Sequence, residues 1–212
     1  MTSPAERRSS PPATGAVSEE TRPDPRLRLL VALVIGALAA AFTLYKYHAL
    51  RDWRTTDASG PASDFDQVRY AALALWRGQD PYAVIGPGRA FDWHWPFFYP
   101  LTAAVATMPF AALSALAARC LFVGASTAAL AYGLTRHAWH RLFVLLSPWG
   151  FYAIHLGQWT PAFTAALALA PGVGAGVALG VLTMIKPTIG AAMLTGVPLG
   201  AGRRSRGAVT LA

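Results

Sequence analysis

Residues 27–47 read LRLLVALVIGALAAAFTLYKY, an apolar run with two basic residues and no carboxylate. A stretch of about 20 apolar residues is what a helix needs to cross a bilayer core of about 30 Å. The apolar region of a cleaved signal peptide is shorter, about 7 to 15 residues, so we predict a retained membrane anchor. Arg22, Arg26 and Arg28 flank its start. The positive-inside rule therefore predicts a cytoplasmic N-terminus.

The composition favours a membrane protein over a soluble one. Of the 212 residues, 54% are hydrophobic and 13% are charged, against roughly a quarter charged in soluble domains. The formal net charge is +8, but the basic residues are scattered or lie at the ends of apolar segments, unlike a nucleic-acid footprint. We therefore expect no nucleic-acid partner. Cys120 is the single cysteine, which excludes an internal disulfide and a cysteine-based metal site.

The remaining pattern predicts an all-α polytopic membrane protein. Residues 1–26 have the composition of a disordered tail, here cytoplasmic. A membrane domain follows at 27–202, with 48–96 as an extracytoplasmic loop and 203–212 as a basic cytoplasmic end. About six transmembrane or re-entrant helices are expected, at 27–47, 97–117, 120–135, 142–156, 161–182 and 186–202. The segment 142–156 is short for a spanning helix, and a re-entrant hairpin is the alternative.

Residues 63–82 read SDFDQVRYAALALWRGQDPY and predict an interfacial amphipathic helix at 64–77. Ser63 and Asp66 have the spacing of a capping box. Phe65 begins an apolar stripe at helical spacing, and Gly78 is placed to end the helix. A helix of this length is too short to span, so we expect it to lie in the membrane interface.

The same segment holds most of the available acid–base chemistry, because no carboxylate side chain follows Asp92. Asp64 and Asp66 lie at the positive end of the helix dipole, which favours their charged form. An ionised carboxylate can act as a general base, and it can also simply cap a helix. The capping-box position favours the cap for Asp66, and for Asp64 both interpretations stay open at this point.

Polar residues also interrupt the apolar half of the chain. Lys186 is the only lysine after residue 46; it is either a phosphate ligand at the membrane surface or a lysine that snorkels from a helix end. His155 and Gln158 form a second polar group, either lining a substrate path or bonding between helices. The aromatic and histidine residues of the loop, Trp93, His94 and Trp95, are either interface anchors or sugar contacts.

Several short motifs together resemble the front of glycosyltransferase family 87, over about residues 28 to 200. They are Asp64-Phe65-x-Gln67, Gly78-x-Asp80-Pro81-Tyr82, Phe98-Tyr99-Pro100, Gly157-Gln158 and Ile185-Lys186-Pro187. The characterised members of that family are bacterial alpha-mannosyltransferases that use a polyprenol-phosphate-mannose donor. The resemblance implies a GT-C-type fold and inverting transfer of a sugar, with mannose as the expected one, to an extracytoplasmic glycan or glycolipid.

Site residues follow from the resemblance position by position. The resemblance assigns the catalytic base to Asp64, with Asp66 as second choice. It assigns binding of the donor phosphate to Lys186 and Arg69. It assigns contacts with the substrate to Gln67, Tyr82, Tyr99 and Gln158. No cofactor and no metal ion are expected, and the protein is placed as a multi-pass protein of the plasma (inner) membrane. Family members are longer, so the chain resembles an N-terminal half whose missing C-terminal half is a further expected partner. The alternatives are an inactive fragment, a non-enzymatic membrane scaffold and a transporter-like protein.

Overall fold

The computed structural model describes residues 23–51, 63–136, 138–169 and 173–191, and this part of the chain is mostly helical. The predicted tail up to residue 22, residues 52–62 of the loop and the basic end 203–212 lie outside the described residues. The helices are α1 (Pro25–Arg51), α2 (Asp64–Trp76), α3 (Pro81–Val84), α4 (Leu101–Ala111), α5 (Ala115–Leu134), α6 (Phe143–Leu146), α7 (Pro148–His155), α8 (Thr160–Leu169) and α9 (Val173–Ile185). A 3-10 turn covers Trp139–Leu142, and a short helical stretch covers 187–191. The strands β1 (Ile85–Gly86) and β2 (Phe91–Asp92) pair in parallel, a small departure from the all-α prediction.

Helix α1 packs along α5 through small residues. A Cβ added to Gly36 would lie 2.6 Å from the backbone oxygen of Gly124 and 2.7 Å from the Cβ of Ala128. One added to Gly124 would lie 3.1 Å from the Cβ of Ala40. Each helix therefore contributes two small residues four positions apart, the pattern that lets helix backbones approach closely in membranes.

The predicted boundary between the second and third spans is wrong. Helix α4 ends at Ala111, and the Ser114 hydroxyl accepts a hydrogen bond from the backbone N–H of Ala117 at 3.3 Å, which caps the start of α5. A capping serine satisfies an N–H group that a new helix otherwise leaves unpaired. As a result α4 has 11 residues, too few to span a bilayer, and α5 has 20.

The predicted span at 142–156 is also not a single helix. Pro148 begins α7, and the Ser147 hydroxyl accepts from the backbone N–H of Gly150 at 3.1 Å. Proline lacks the N–H that a continuous helix would need at this point, so the segment divides into α6 and α7. Its re-entrant placement stays a prediction.

The last two predicted spans are likewise not shown as continuous helices. In the segment 161–182 the described residues belong to α8 and α9, of 10 and 13 residues, and residues 170–172 lie outside the described part. The segment 186–202 is described only as far as residue 191. Among the described residues, two helices, Pro25–Ala49 within α1 and Ala115–Leu134, are long and apolar enough to cross a membrane by length and composition. The structure thus shows two candidate spans of the six predicted.

Helix α2 confirms the predicted helix over 64–77 to within one residue. Its apolar stripe is enclosed by the fold, since Phe65 and Val68 are fully buried. The Phe65 ring stacks on Phe122 of α5 with centroids 4.2 Å apart, and the buried hydroxyl of Thr107 in α4 donates to the Val68 carbonyl at 3.1 Å. Its position at a membrane interface stays a prediction.

Candidate functional site

The first turn of α2 is fixed by a buried ion pair. The guanidinium of Arg119 in α5 donates to both oxygens of the Asp66 carboxylate, at 3.2 Å from Nε to Oδ1 and 2.6 Å from Nη2 to Oδ2. The two side chains are 1% and 6% exposed. Asp66 also accepts from the backbone N–H of Ser63 and, at 3.0 Å, from the Ser63 hydroxyl, so the predicted capping box is present.

These contacts give Asp66 a structural task and leave it poorly placed as a base. Its carboxylate already accepts from Arg119 and from two groups of Ser63. A general base must bring a free lone pair within hydrogen-bond reach of the substrate proton. The cap interpretation of Asp66 is therefore the one that the contacts support, and the structure gives no substrate-facing role to the second-choice base.

Asp64 begins α2 on a different side of the same turn. Its backbone N–H donates to the carbonyl of Leu156 at 3.0 Å, which ties the helix start to the turn that follows α7. Gly157 in that turn has a φ of 61°, and a Cβ there would lie 3.2 Å from the Ser63 hydroxyl oxygen. Glycine is suited to such a position because it adopts positive φ without strain and allows close backbone approach. The turn thereby places Gln158 beside the Asp64 side chain.

The Asp64 carboxyl belongs to a cluster drawn from four separate segments. It hydrogen-bonds the side chain of Gln158 and interacts electrostatically with Lys186. The Lys186 ammonium donates to the Tyr99 hydroxyl at 3.0 Å and lies 5.2 Å from the centre of that ring. Four predicted site residues therefore converge, although up to 122 positions separate them in the chain (186 minus 64).

Electrostatics tune two members of this cluster. Burial raises the pKa of Asp64 above its ordinary value, while the charge of Lys186 and the hydrogen bond from Gln158 act in the opposite direction. Burial, and then the nearby Asp64 carboxylate, raise the pKa of Tyr99. A carboxylate with a raised pKa is a stronger proton acceptor once ionised, and Tyr99 keeps its O–H proton to donate.

Lys186 reaches the cluster from the end of α9. Its backbone N–H donates to the Leu182 carbonyl at 2.9 Å, and Pro187 follows it. The hydroxyl of Thr102, in the first turn of α4, donates to the Met184 carbonyl and holds the end of α9 close to the segment that carries Tyr99. Lys186 thus lies at a helix end and faces a polar partner, and both sequence-based interpretations of it stay open.

Tyr82 contacts the cluster at its edge, and Gln67 lies on the Asp64 face of α2. The Tyr82 hydroxyl donates to the backbone carbonyl of Tyr99 at 2.9 Å, and its own backbone N–H donates to the Asp80 side chain that caps α3. Gln67 is buried and follows Asp64 by three positions, which places it on the same face of α2. We therefore interpret Tyr82 as positioning Tyr99.

Arg69 does not join this cluster. Its guanidinium donates to the backbone carbonyls of Phe110, Ala111 and Leu113, at the end of α4. A cation at a helix C-terminus satisfies carbonyl groups that have no partner within the helix. Its side chain thus serves α4, and the expected contact with a donor phosphate receives no support from these contacts.

Two functional candidates were missed from the sequence. Arg119 lies within the apolar run of α5, where an ionisable residue is costly and marks a partner or a function. Lys46 is 7% exposed near the end of α1; its ammonium donates to the carbonyl of His155, and it interacts electrostatically with Arg119 and Asp66. The available signal in both cases was a cation inside a long hydrophobic segment.

The aromatic residues of the loop form a row that starts at α2. Tyr70 of α2 stacks on Phe91 with ring centroids 4.6 Å apart, and Phe91 stacks on Trp93 at 5.9 Å. His94 lies next to Trp93, with centroids 6.1 Å apart, and Trp95 is 66% exposed. These contacts fit an anchor as well as a sugar platform, so both interpretations stay open.

Comparisons with protein-family models, with curated proteins and with solved structures give no match. Within the described residues, no group of three or more His, Cys, Asp or Glu side chains could hold a metal ion.

Proposed function

We propose that this protein is a membrane glycosyltransferase of the family 87 type, using a polyprenyl-phosphate sugar. The observation that carries the proposal is the convergence of Asp64, Tyr99, Gln158 and Lys186 in one half-buried cluster. A carboxylate beside a lysine and two neutral hydrogen-bonding groups supplies a proton acceptor, a cation for a phosphate and two groups that can orient a sugar.

The exposed surface of α1 supports the membrane setting of this proposal. Large apolar side chains such as Leu30 and Leu38 are 60% and 64% exposed. A helix that is apolar on its outer face belongs in a bilayer or against another apolar surface. Its packing against α5 through Gly36 favours a retained helix over a removable signal sequence. The proposed protein is multi-pass, in the plasma (inner) membrane, with its N-terminus in the cytoplasm.

The proposed reaction is a single displacement. Asp64 takes the proton of an acceptor hydroxyl while that oxygen forms a bond to the anomeric carbon of the donor sugar. The bond between this carbon and the phosphate oxygen breaks, and its electron pair leaves with the polyprenyl phosphate. Lys186 stabilises the charge of the leaving phosphate, as an ammonium ion does for phosphates elsewhere. Attack from the face opposite the leaving group inverts the anomeric configuration.

The free site prepares these residues for their tasks. Lys186 and Gln158 act to keep Asp64 ionised, against the effect of burial, until the acceptor arrives. The donor phosphate then competes with Asp64 for the Lys186 ammonium, which leaves the carboxylate more free to accept a proton. A general base of this kind contributes about 10²- to 10⁴-fold to a rate.

The test is sugar transfer from radiolabelled polyprenyl-phosphate-mannose in membranes that contain the protein. We expect Asp64→Asn to lower transfer by about 10²-fold or more. Asp92→Asn is the matched control, because Asp92 is an exposed aspartate of the same loop whose carboxylate accepts from the Gly88 N–H. Transfer by Asp64→Asn at the rate of the control would refute the assignment of the base.

The same assay addresses the alternative functions. Wild-type protein that inserts normally but transfers no sugar would contradict the proposed function and favour an inactive fragment or a scaffold. Sugar uptake into proteoliposomes without any lipid-linked donor would favour a transporter-like protein.

A further inference from the structure

An apolar groove lies between α1, α5 and the segment from the 3-10 turn to α7. Its volume is about 520 Å³ and, apart from Thr127, its lining side chains are hydrophobic. An apolar cavity of about 150 Å³ is enough to stay dry and to bind benzene. A groove this size is therefore suited to hydrocarbon and poorly suited to a polar solute.

The groove opens on the outer surface of the helices. Leu38 on one wall is 64% exposed and Leu146 on the other is 78% exposed. Leu38 belongs to α1, a candidate spanning helix. In the proposed membrane setting the rim faces the lipid chains, so a lipid could enter from the side.

On α1 the groove leads towards the polar site. Ile35, Ala39 and Phe42 line it at helical spacing, and Lys46 follows Phe42 by four positions on the same face. With a rise of 1.5 Å per residue, Lys46 lies about 6 Å beyond Phe42 along the helix. Its ammonium meets the carbonyl of His155, at the end of α7.

The other two walls end at the same place. On α5, Thr127 lines the groove, Val123 lies four residues earlier against Gly157, and Arg119 lies four residues before that, on Asp66. On α7, Ile154 lines the groove. The turn that follows α7 accepts the backbone N–H of Asp64. All three walls therefore run from hydrocarbon to the Asp64 region.

Positive charge is in excess where the groove ends. Among the described residues, Lys46 and Arg69 both interact electrostatically with the Asp66–Arg119 pair. Together with Asp64, which also interacts with Asp66, and Lys186, which interacts with Asp64, the region contains four cations and two carboxylates. A net positive charge in a partly dehydrated place favours an anionic head group. A single groove with a single charged end matches a lipid with one chain and one phosphate better than a diacyl phospholipid with two chains.

We propose that this groove binds the isoprenoid chain of the polyprenyl-phosphate donor, with Lys46 at the point where the chain meets the phosphate. The inference rests on the proposed function and adds to it the place of the donor lipid. It also gives a task to Lys46, which the proposed reaction leaves unused.

The test is photo-crosslinking of the full chain in lipid nanodiscs with polyprenyl phosphate that carries a diazirine. Crosslinked peptides are mapped by mass spectrometry, and no sugar is transferred. We expect labels on 35–42 and 139–154 that excess unlabelled polyprenyl phosphate removes. Excess phosphatidylglycerol should remove far less, because it brings two chains to one groove.

Leu38→Trp should fill the groove and lower this labelling. Leu33→Trp is the matched control, because Leu33 is 57% exposed on the same helix but does not line the groove. Leu146→Trp, on the opposite wall, repeats the test should the first variant insert poorly. Lys46→Gln should weaken competition by polyprenyl phosphate by at least about tenfold, the effect of losing one hydrogen bond to a charged group, and leave competition by neutral polyprenol unchanged.

Equal competition by phosphatidylglycerol would overturn the inference and make the groove a general lipid contact. Equal labelling of the Leu38→Trp and Leu33→Trp proteins would overturn it too. Because binding is measured without transfer, Asp64→Asn should keep the specific labelling of the groove even though it loses transfer. If the groove is labelled specifically and Asp64→Asn still transfers sugar fully, the proposed base is refuted but lipid binding in the groove is not. If the wild-type groove is not labelled specifically while transfer still depends on Asp64, only the inference about the groove is refuted.

Discussion

Replacing Arg119 by methionine tests the ion pair that fixes the start of α2. Methionine fills much of the same space but leaves the Asp66 carboxylate, whose side chain is 6% exposed, without its cation. Breaking a buried pair by removing one partner typically costs about 3 to 5 kcal/mol. A difference of 1.4 kcal/mol is a factor of ten, so the unfolded fraction should rise by roughly 10²- to 10³-fold or more.

The assay is unfolding of the purified protein in mixed dodecylmaltoside and sodium dodecyl sulphate micelles, followed by circular dichroism. Arg77→Met is the matched control, because Arg77 is an exposed arginine just after α2. Surface substitutions of this kind usually change the free energy of unfolding by no more than about 0.5 kcal/mol. The double variant Asp66→Asn with Arg119→Met keeps a side chain that can cap the helix and removes both charges.

The double variant separates the ion pair from the loss of packing. Since neither charge is left alone, we expect it to be more stable than Arg119→Met, with a coupling energy of about 2 to 3 kcal/mol. The prediction is refuted if Arg119→Met is as stable as Arg77→Met. It is refuted equally if the double variant loses the sum of the two single losses, because the two side chains would then act independently.

Three further predictions concern the candidate site and the helix crossing. A hydrophobic carbodiimide labels protonated carboxyl groups, so labelling of Asp64 should fall as pH rises through its pKa. Because the charge of Lys186 lowers that pKa, Lys186→Gln should move the midpoint of the labelling curve to higher pH. A midpoint that is unmoved or lower contradicts the coupling between the two residues. Gly157→Ala should cost more stability than Gly78→Ala, because both glycines have positive φ (61° and 70°) but of the two only Gly157 has a neighbouring atom within 4 Å of an added Cβ. The backbone strain of an alanine at positive φ is about 1 to 2 kcal/mol in both variants. Equal losses would show that the close approach of Gly157 to Ser63 is unimportant. Gly36→Leu should destabilise the protein by about 1 to 3 kcal/mol, because its Cβ would lie 2.6 Å from a backbone oxygen of α5. Unfolding of this variant at the same detergent fraction as wild type would refute the close packing of α1 on α5.

Local signals predicted α2 well. Ser63, Asp66 and Gly78 gave the correct start and end, because caps and stops depend on residues within one or two turns of each other. The apolar stripe also indicated which side of α2 is buried, since Phe65 and Val68 are fully enclosed. The apolar run at 27–47 likewise predicted a helix at α1, although α1 extends beyond that run at both ends, over Pro25–Arg51.

The later helix boundaries could not be predicted from the apolar runs. Apolar residues continue across the turn at 112–114 and across Ser147, where a capping hydroxyl starts a new helix. A long apolar run does not reveal that a single hydroxyl within it satisfies a backbone N–H. For that reason the predicted span at 142–156 proved to be two short helices, and the predicted boundary between the spans at 97–117 and 120–135 was wrong.

The sequence by itself limited the acid–base chemistry to a few residues, because its carboxylates end at Asp92 and Lys186 is the only lysine after residue 46. Only the tertiary structure decided how those residues divide their tasks. It pairs Asp66 with Arg119, 53 positions away, and leaves Asp64 facing Lys186 and Gln158. Partners so far apart in the chain are selected by helix packing and by the cost of burying an unpaired charge, and neither is visible in a local pattern.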